Sequence, residues 1–123
     1  MRILIIDDSG VMRRIHKNTL AEHKISPESL YEADNGVTAL KIATENTIDM
    51  FLVDWNMPKL DGLELVKKLR AMPQYSETPI IMVTSEAAKY NVMEAIKAGV
   101  SDYIVKPIHG EVIWQKINKY IQQ

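Results

Sequence analysis

Polar side chains stand at the ends of four short apolar segments of the sequence. Asp7 and Asp8 follow RILII, Asp54 follows MFLV, Thr84 follows PIIMV, and Lys106 ends DYIVK. In an open α/β sheet, side chains at the carboxyl ends of strands gather at the ligand crevice. We therefore expect carboxylates, a hydroxyl and an ammonium to meet in one place. Such a set can hold a divalent cation and a phosphoryl group, with a carboxylate as nucleophile.

The three carboxylates are candidate ligands for Mg²⁺. Magnesium needs hard oxygen ligands and usually keeps several waters, so two or three carboxylates from different loops are enough. An Asp after a strand also often begins a turn or caps a helix, and Asp54 alone fits that interpretation equally well. Clustered carboxylates repel one another, however, and a cation or a function must compensate for the repulsion. The set Asp7, Asp8 and Asp54 therefore indicates a magnesium site.

Lys106 and Thr84 are candidate donors to a phosphoryl group. Lys106 precedes Pro107, and an X-Pro bond is where a cis peptide costs least and can aim a side chain abruptly. The lysine ammonium is a compact charge suited to a phosphoryl oxygen or a carboxylate. By itself Lys106 is more typical of a surface lysine, and Thr84 with Ser85 could only cap the following helix. Together they favour contact with a transferred group.

The remaining sequence predicts the elements that must position these residues. Short β-branched apolar runs alternate with amphipathic stretches, which is typical of repeated strand-helix units in a parallel sheet. Strands are predicted near 2–7, 29–33, 49–54, 79–84 and 102–106, and helices near 10–23, 36–46, 62–72, 88–98 and 110–121. The first and fourth strands are continuously apolar, so we expect them to be covered on both faces and central in the sheet.

Composition restricts the class of protein. The 123 residues suffice for one domain with a single core, and 46% hydrophobic and 25% charged residues are typical of a globular protein. The net charge is −1 with no basic block, so neither nucleic acid nor membrane binding is expected. The absence of cysteine excludes disulfides and thiol chemistry. No segment has the length of a signal peptide or a membrane helix, so we expect a cytoplasmic protein.

Smaller signals concern helix ends and histidines. Asp61 is predicted to cap the third helix, and Gly99 to end the fourth. The histidines His16, His23 and His109 are too scattered along the chain to form an evident metal site, and we expect them at the surface.

Four motifs run in register along the chain, namely IDDS, DWNMPKLDG, VTSEA and DYIVKP. With them the chain resembles the receiver domains of bacterial two-component response regulators, most closely the stand-alone chemotaxis regulators. The resemblance implies one receiver domain over residues 1–123 with no output domain. It also implies a flavodoxin-like α/β fold, with a five-stranded parallel sheet in the order 2-1-3-4-5 and five helices on both faces. The second strand, which carries no marked residue, would then lie at an edge.

The resemblance implies roles for the acidic residues. Asp54 would accept a phosphoryl group from the phosphohistidine of a histidine kinase. Asp8 and Asp54, with the backbone carbonyl of Asn56, would bind Mg²⁺, and Asp7 would help through a bound water. A carboxylate is a weak nucleophile toward an anionic donor, so Mg²⁺ and Lys106 must offset the developing charge. Hydrolysis of the labile acyl phosphate would reset the switch.

The resemblance also implies a conformational response. Thr84 and Lys106 would hold the phosphoryl oxygens, and Thr84 would move toward the group while Tyr103 turns inward behind it. Tyr103 could instead be a half-buried strand aromatic with its hydroxyl in water. Asn56 and Glu86 occupy positions where members of the family tune hydrolysis.

Output would use the face formed by the fourth helix, the fifth strand and the fifth helix. The residues expected there suit a short amphipathic partner: Ala87, Lys89, Tyr90, Tyr103, Val105 and Lys116. Trp114 lies beside the apolar stripe of the last helix, so it either flanks this surface or packs against a neighbouring loop. The expected target of a monomeric switch is another protein, a flagellar motor switch component if the chemotaxis likeness holds. A phosphatase is a further expected partner.

Other classes of function remain open at this stage. A flavin-binding electron carrier would need a hydroxyl- and glycine-rich loop where DDSGVMRR stands. A magnesium-dependent phosphatase usually needs an acid-base Asp two residues after its nucleophile, where this chain has Asn56. A phosphorylation-independent binding module, and a single receiver in an adaptation pathway or another phosphorelay, are the remaining alternatives.

Overall fold

Strand and helix alternate five times along the chain. The computed structural model describes residues 1–55, 61–84, 89–106 and 110–121, and at residues 89–92 the backbone alone. The strands are β1 (Ile3–Ile6), β2 (Leu30–Ala33), β3 (Met50–Asp54), β4 (Ile80–Thr84) and β5 (Asp102–Val105). The helices are α1 (Gly10–Glu22), α2 (Gly36–Glu45), α3 (Gly62–Ala71), α4 (Lys89–Ala98) and α5 (Gly110–Ile121). All ten predicted elements are therefore present, with ends within about two residues of the prediction.

Two short 3₁₀ helices were not predicted. They span Pro27–Ser29 and Pro73–Tyr75, and each begins with a proline. Proline suits a first helical position because its fixed φ is helical and its missing N–H would have no partner there. Three residues are too few for hydrophobic periodicity to reveal, so the sequence pattern did not detect them.

The five strands form one parallel sheet in the order β2-β1-β3-β4-β5. This confirms the predicted order, with β2 at an edge. β1 and β4 are interior strands, as expected, and β3 lies between them. Every residue of these three strands is buried, whereas β2 and β5 have partly exposed positions. Continuous apolar runs therefore mark the strands that are covered on both faces.

The core consists of two clusters, one on each face of the sheet. Leu4 and Ile6 of β1 belong to the cluster covered by α2, α3 and α4, whereas Ile3 and Ile5 belong to the cluster covered by α1 and α5. Alternate residues of one strand thus serve opposite faces, as the two-residue period of a strand requires. Within the described ranges, no helix has the length and apolarity needed to cross a membrane.

Helix ends follow the local signals in the sequence. The Oδ1 of Asp61 accepts a hydrogen bond of 2.9 Å from the backbone N–H of Glu64, so Asp61 caps α3 as predicted. Gly99 follows the last residue of α4 and has a φ of +109°. A side chain is strained in that backbone region, so glycine is suited to ending this helix. Both caps confirm the predicted boundaries.

The expectation that the histidines lie at the surface is wrong for His16. Its side chain is 1% exposed and lies with Thr19 and Leu20 on the buried side of α1. Burial, and then the charge of Lys106, lower the pKa of His16 from 6.5 to about 4, so the ring is neutral at pH 7. The sequence carried a signal for this position, because residues 16, 19 and 20 share one face of a helix. His109 lies outside the described residues.

Candidate functional site

The predicted site residues meet at the carboxyl edge of the sheet. Asp7 follows the last residue of β1, Asp54 ends β3, and Thr84 ends β4. Lys106 follows β5 directly, and its backbone N–H donates a hydrogen bond of 2.7 Å to the carbonyl oxygen of Thr84. Because parallel strands end on the same side, the sheet brings together residues that are far apart in the sequence.

Asp7, Asp8 and Asp54 form an acidic cluster at this edge. Each offers a carboxylate oxygen within 4.8 Å of the other two. Asp7 and Asp54 are buried, with 2% and 4% exposure, whereas Asp8 is exposed. The cluster therefore has a buried floor and an open side through which an ion could enter.

Asp7 has an unusual environment for a carboxylate. Its Oδ1 accepts a hydrogen bond of 2.9 Å from the backbone N–H of Ser9. Its Oδ2 is buried and has no hydrogen-bond partner among the described residues. Burial raises the pKa of Asp7 from 3.8 to about 6; the Ser9 N–H opposes this, and the charge of Asp54 adds to it. A buried acceptor without a partner costs free energy.

The acidic cluster fits a magnesium ion. The donor set is made of hard carboxylate oxygens from two different strand ends, as Mg²⁺ prefers. A cation next to Asp7 would satisfy its buried Oδ2 and reduce the repulsion between the three charges. The residues present are therefore suited to this ion. Asn56, whose carbonyl is the remaining predicted ligand, lies outside the described residues.

Lys106 places a positive charge beside Asp54. Its Nζ lies 3.4 Å from the Oδ1 of Asp54, at the long end of the range for a hydrogen bond. The side chain of Lys106 is 26% exposed, against 5% for that of Asp54. The ammonium thus covers the buried carboxylate from the solvent side. An anionic group attached to Asp54 would lie within reach of this charge.

The end of β3 is held by a close contact with α3. A β-carbon added to Gly62, the first residue of α3, would lie 2.6 Å from the carbonyl oxygen of Asp54. The backbone N–H of Gly62 also donates a hydrogen bond of 3.1 Å to the carbonyl oxygen of Trp55. This supporting role of Gly62 was not predicted from the sequence. The only local signal was a glycine directly after a helix cap.

Arg13 supports the segment that carries Asp7. This role was not predicted from the sequence either. Its Nη1 donates a hydrogen bond of 2.6 Å to the carbonyl oxygen of Asp7, and its Nε donates to Glu32 at 3.1 Å. Lys17 pairs with the second oxygen of Glu32 at 3.0 Å. Arg13 and Glu32 are separated by 19 residues, so no local pattern in the sequence links them.

Thr84 and Tyr103 lie on the same face of the sheet. In the parallel register, Met82 of β4 is opposite Tyr103 and Thr84 is opposite Val105, and paired residues point to the same side. Thr84 is buried, whereas Tyr103 is 36% exposed, an orientation that we call outward. The Nζ of Lys116 lies 5.7 Å from the centre of that ring. The structure thus shows one orientation of Tyr103.

Glu86, predicted to tune hydrolysis, and Ala87, predicted for the output face, lie outside the described residues. At Lys89 and Tyr90 of the predicted output face, only the backbone is described. Val105 and Lys116 are partly exposed.

Trp114 packs against the end of α1. Its ring stacks on that of His23, with a centroid distance of 4.1 Å and an interplanar angle of 3°. His23 is the C-cap residue of α1, and Trp114 also contacts the core cluster covered by α1 and α5. Of the two alternatives for Trp114, this contact favours packing over a place beside the docking surface.

Comparison with known proteins agrees with this architecture. The response regulator receiver domain model matches residues 3–118. The chain is 48% identical over 118 residues to the "Chemotaxis protein CheY homolog" of Campylobacter jejuni, which covers 95% of this chain and 89% of that protein. It is 46% identical to "Chemotaxis protein CheY1" of Helicobacter pylori, covering 95% and 94% of the two chains.

Solved structures show the same likeness. The chemotaxis response regulator CheY4 of Vibrio cholerae superimposes with a TM-score of 0.90 at 30% sequence identity, over 97% of both chains. A putative response regulator from Chloroflexus aurantiacus has a TM-score of 0.92 over 99% and 98% of the two chains, and at 24% identity it supports the fold alone. The family match and the relatives cover nearly the whole chain, which therefore belongs to the response regulator receiver domains and is related to the CheY chemotaxis proteins.

Proposed function

We propose that this chain is a phosphorylation-activated switch of a chemotaxis pathway, in which Asp54 accepts a phosphoryl group from a histidine kinase. Receiver domains of this family are signalling switches and not enzymes in the usual sense. The single observation that carries the proposal is the position of Asp54. This carboxylate is buried beside two other carboxylates and within 3.4 Å of an ammonium.

The acidic residues have different roles at this site. Asp54 is the nucleophile. With Asp8 and the backbone carbonyl of Asn56 it would hold the metal, and Asp7 would help through a bound water. When bound, Mg²⁺ would offset the negative charge on the oxygens of the transferred group. Asp7 supports this assignment because its buried Oδ2 has no hydrogen-bond partner among the described residues.

Phosphoryl transfer follows from this arrangement. An oxygen of Asp54 attacks phosphorus, the phosphorus–nitrogen bond to the donor histidine breaks, and an acyl phosphate forms on Asp54. The bonding electrons leave with the imidazole of the donor. The Lys106 ammonium and the Thr84 hydroxyl then contact oxygens of the new group, where fixed positive charge and donors stabilise developing negative charge. Water later hydrolyses the acyl phosphate at a rate tuned by Asn56 and Glu86.

The response passes from Thr84 to Tyr103. The two residues lie on the same face of the sheet, on adjacent strands, which supports a coupled movement. In the proposed response, Thr84 moves toward the phosphoryl group and leaves space into which the Tyr103 ring turns. A modification that interacts differently with two states shifts the population between them.

The partners follow from the family and from the output face. The phosphodonor is a histidine kinase, and a phosphatase is a further partner that acts beside self-catalysed hydrolysis of the acyl phosphate. The target binds α4, β5 and α5, and the relatives named as chemotaxis proteins support a component of the flagellar motor switch. A single receiver of another phosphorelay is the alternative, and comparing the proteins captured by the unmodified and phosphorylated forms distinguishes the two.

Intact-mass measurement tests the chemistry directly. The protein is incubated with Mg²⁺ and a small phosphodonor such as phosphoramidate. We expect one added phosphoryl group, and none in Asp54→Asn. Asp61→Asn is the matched control, because Asp61 caps α3 near the site and is not among the proposed ligands. A phosphoryl group that persists on the Asp54→Asn variant would contradict the proposal.

A further inference from the structure

Lys116 and Asp102 form an anchored ion pair at the edge of the sheet. The Nζ of Lys116 donates a hydrogen bond of 2.9 Å to the Oδ1 of Asp102, whose side chain is only 13% exposed. The same Oδ1 accepts from the backbone N–H of Tyr103 at 2.8 Å. The hydroxyl of Tyr120 donates to Ser101 and lies 3.4 Å from the other carboxylate oxygen. The carboxylate is therefore held by two hydrogen-bond donors, the Lys116 ammonium and the Tyr103 backbone N–H.

This ion pair fixes the ammonium beside the ring of Tyr103. The distance of 5.7 Å from Nζ to the ring centre lies within cation–π range. A lysine without an anchor would spend part of its time away from the ring, because its four-carbon stem is flexible. Asp102 therefore keeps the charge of Lys116 next to the outward-facing ring.

We infer that Lys116 and Asp102 are positioning residues that hold Tyr103 in its outward orientation and so set the threshold of the switch. The inference rests on the proposed function, in which the inward orientation of Tyr103 is the output state. Turning the ring inward breaks its contact with the ammonium but leaves the ion pair between Lys116 and Asp102 intact. The contact therefore exists in one state only, and such an interaction shifts the population toward that state.

The effect has a predictable size. Loss of an exposed cation–π contact should raise the inward-to-outward ratio of Tyr103 about two- to fivefold. If phosphoryl mimics bind the inward state, their apparent affinity should increase by up to the same factor, because the binding-competent fraction grows. Both quantities can be measured in the full chain without a partner protein.

Fluorine NMR measures the orientation of Tyr103. The protein is labelled with 3-fluorotyrosine, and the Tyr103 signal is assigned with Tyr103→Phe. The chemical shift of this signal in the unmodified protein is compared with its chemical shift at saturating beryllofluoride and Mg²⁺. The second value represents the fully switched protein. We expect Lys116→Met to move the unmodified signal toward this second value, and Asp102→Asn to move it in the same direction. Lys116→Arg, which keeps a cation over the ring, should stay close to the parent protein.

The chain offers a matched control on the same helix. Lys119 lies 5.7 Å from the ring centre of Tyr120, so Lys119→Met also removes a lysine charge that faces a tyrosine of this region. It should leave the Tyr103 signal unchanged. Fluorescence of Trp55 during titration with beryllofluoride provides a second readout. We expect tighter apparent binding of beryllofluoride in Lys116→Met and unchanged binding in Lys119→Met.

The possible outcomes separate this inference from the proposed function. If beryllofluoride leaves the Tyr103 signal of the parent protein unchanged, the proposed switch itself is wrong. If the parent protein responds but Lys116→Met and Asp102→Asn have the same inward-to-outward ratio of Tyr103 as the parent, only the positioning role is overturned. An equal shift in Lys119→Met would also overturn it, because the effect would then reflect general loss of charge. Should Lys116→Met fail to fold, Asp102→Asn and Lys116→Arg decide the question.

Discussion

Gly62 approaches the carbonyl oxygen of Asp54 so closely that a β-carbon would lie 2.6 Å from it. The first turn of α3 thus rests directly on the backbone of Asp54. Backbone atoms at this contact cannot move aside as the end of a flexible side chain can, so any larger residue must displace either α3 or the end of β3.

Gly62→Ala should therefore be destabilising, although alanine is a better helix former than glycine. We expect a loss of about 1–3 kcal/mol, the usual cost of overpacking a tight site, together with slower phosphorylation of Asp54. Urea unfolding measures the first effect and intact mass the second. Gly10→Ala is the control, because Gly10 also begins a helix and a β-carbon there would meet only the Nη2 of Arg13, at 3.5 Å. Equal stability changes in the two variants would contradict the role of the close contact.

Asp7→Asn should stabilise the protein in the absence of metal at neutral pH. Burial raises the pKa of Asp7 from 3.8 to about 6, so the folded state binds this proton more tightly and loses stability as pH rises between these values. This rise in the pKa of Asp7 corresponds to about 3 kcal/mol at pH 7. Asparagine keeps the acceptor for the Ser9 N–H and removes the charge. Added Mg²⁺ should stabilise the parent protein and have little effect on the variant.

Asp8→Ala provides the comparison, because Asp8 belongs to the same cluster but is exposed. We expect it to stabilise the metal-free protein less than Asp7→Asn does, through relief of repulsion, and to abolish stabilisation by Mg²⁺. If Asp8→Ala melted lower than the parent without the ion and still responded to it, the placement of the metal at this cluster would be wrong.

His16 gives the protein a pH dependence of the opposite sign. Its pKa falls from 6.5 to about 4 on folding, so the unfolded state binds the proton more tightly and stability is lost as pH falls between these values. This fall in the pKa of His16 amounts to roughly 3 kcal/mol. His16→Leu should therefore lose less stability than the parent protein between pH 7 and pH 4.5 in urea unfolding. His23→Leu, at the C-terminal end of α1, should not remove this acid sensitivity.

Most of the strands and helices could be predicted from the sequence, because each had its own local signal. Continuous apolar runs marked β1 and β4, and Asp61 and Gly99 marked helix ends. The site could be anticipated for a similar reason, since parallel strands collect the residues at their carboxyl ends. The family resemblance added the strand order and the role expected of each side chain.

What the sequence did not reveal depends on contacts between distant segments. Nothing near Arg13 indicates that it reaches both Asp7 and Glu32, and nothing near Asp102 indicates that Lys116 will bind it. His16 is a different case, because the 16, 19 and 20 spacing was visible. A polar residue was assigned to the surface on its type alone, and helix periodicity proved the better guide.

Arg13→Met should weaken magnesium binding without removing any ligand. The Nη1 of Arg13 donates to the carbonyl oxygen of Asp7, so it holds the segment that carries Asp7 and Asp8. Loss of a residue that orients metal ligands typically costs 10–100-fold in affinity, and here we expect about tenfold, measured by Trp55 fluorescence on titration with Mg²⁺. Lys17→Met is the matched control. It removes the other partner of Glu32 but no contact with Asp7, so its affinity should equal that of the parent. A similar loss in both variants would mean that surface charge, and not the support of Asp7, governs the affinity.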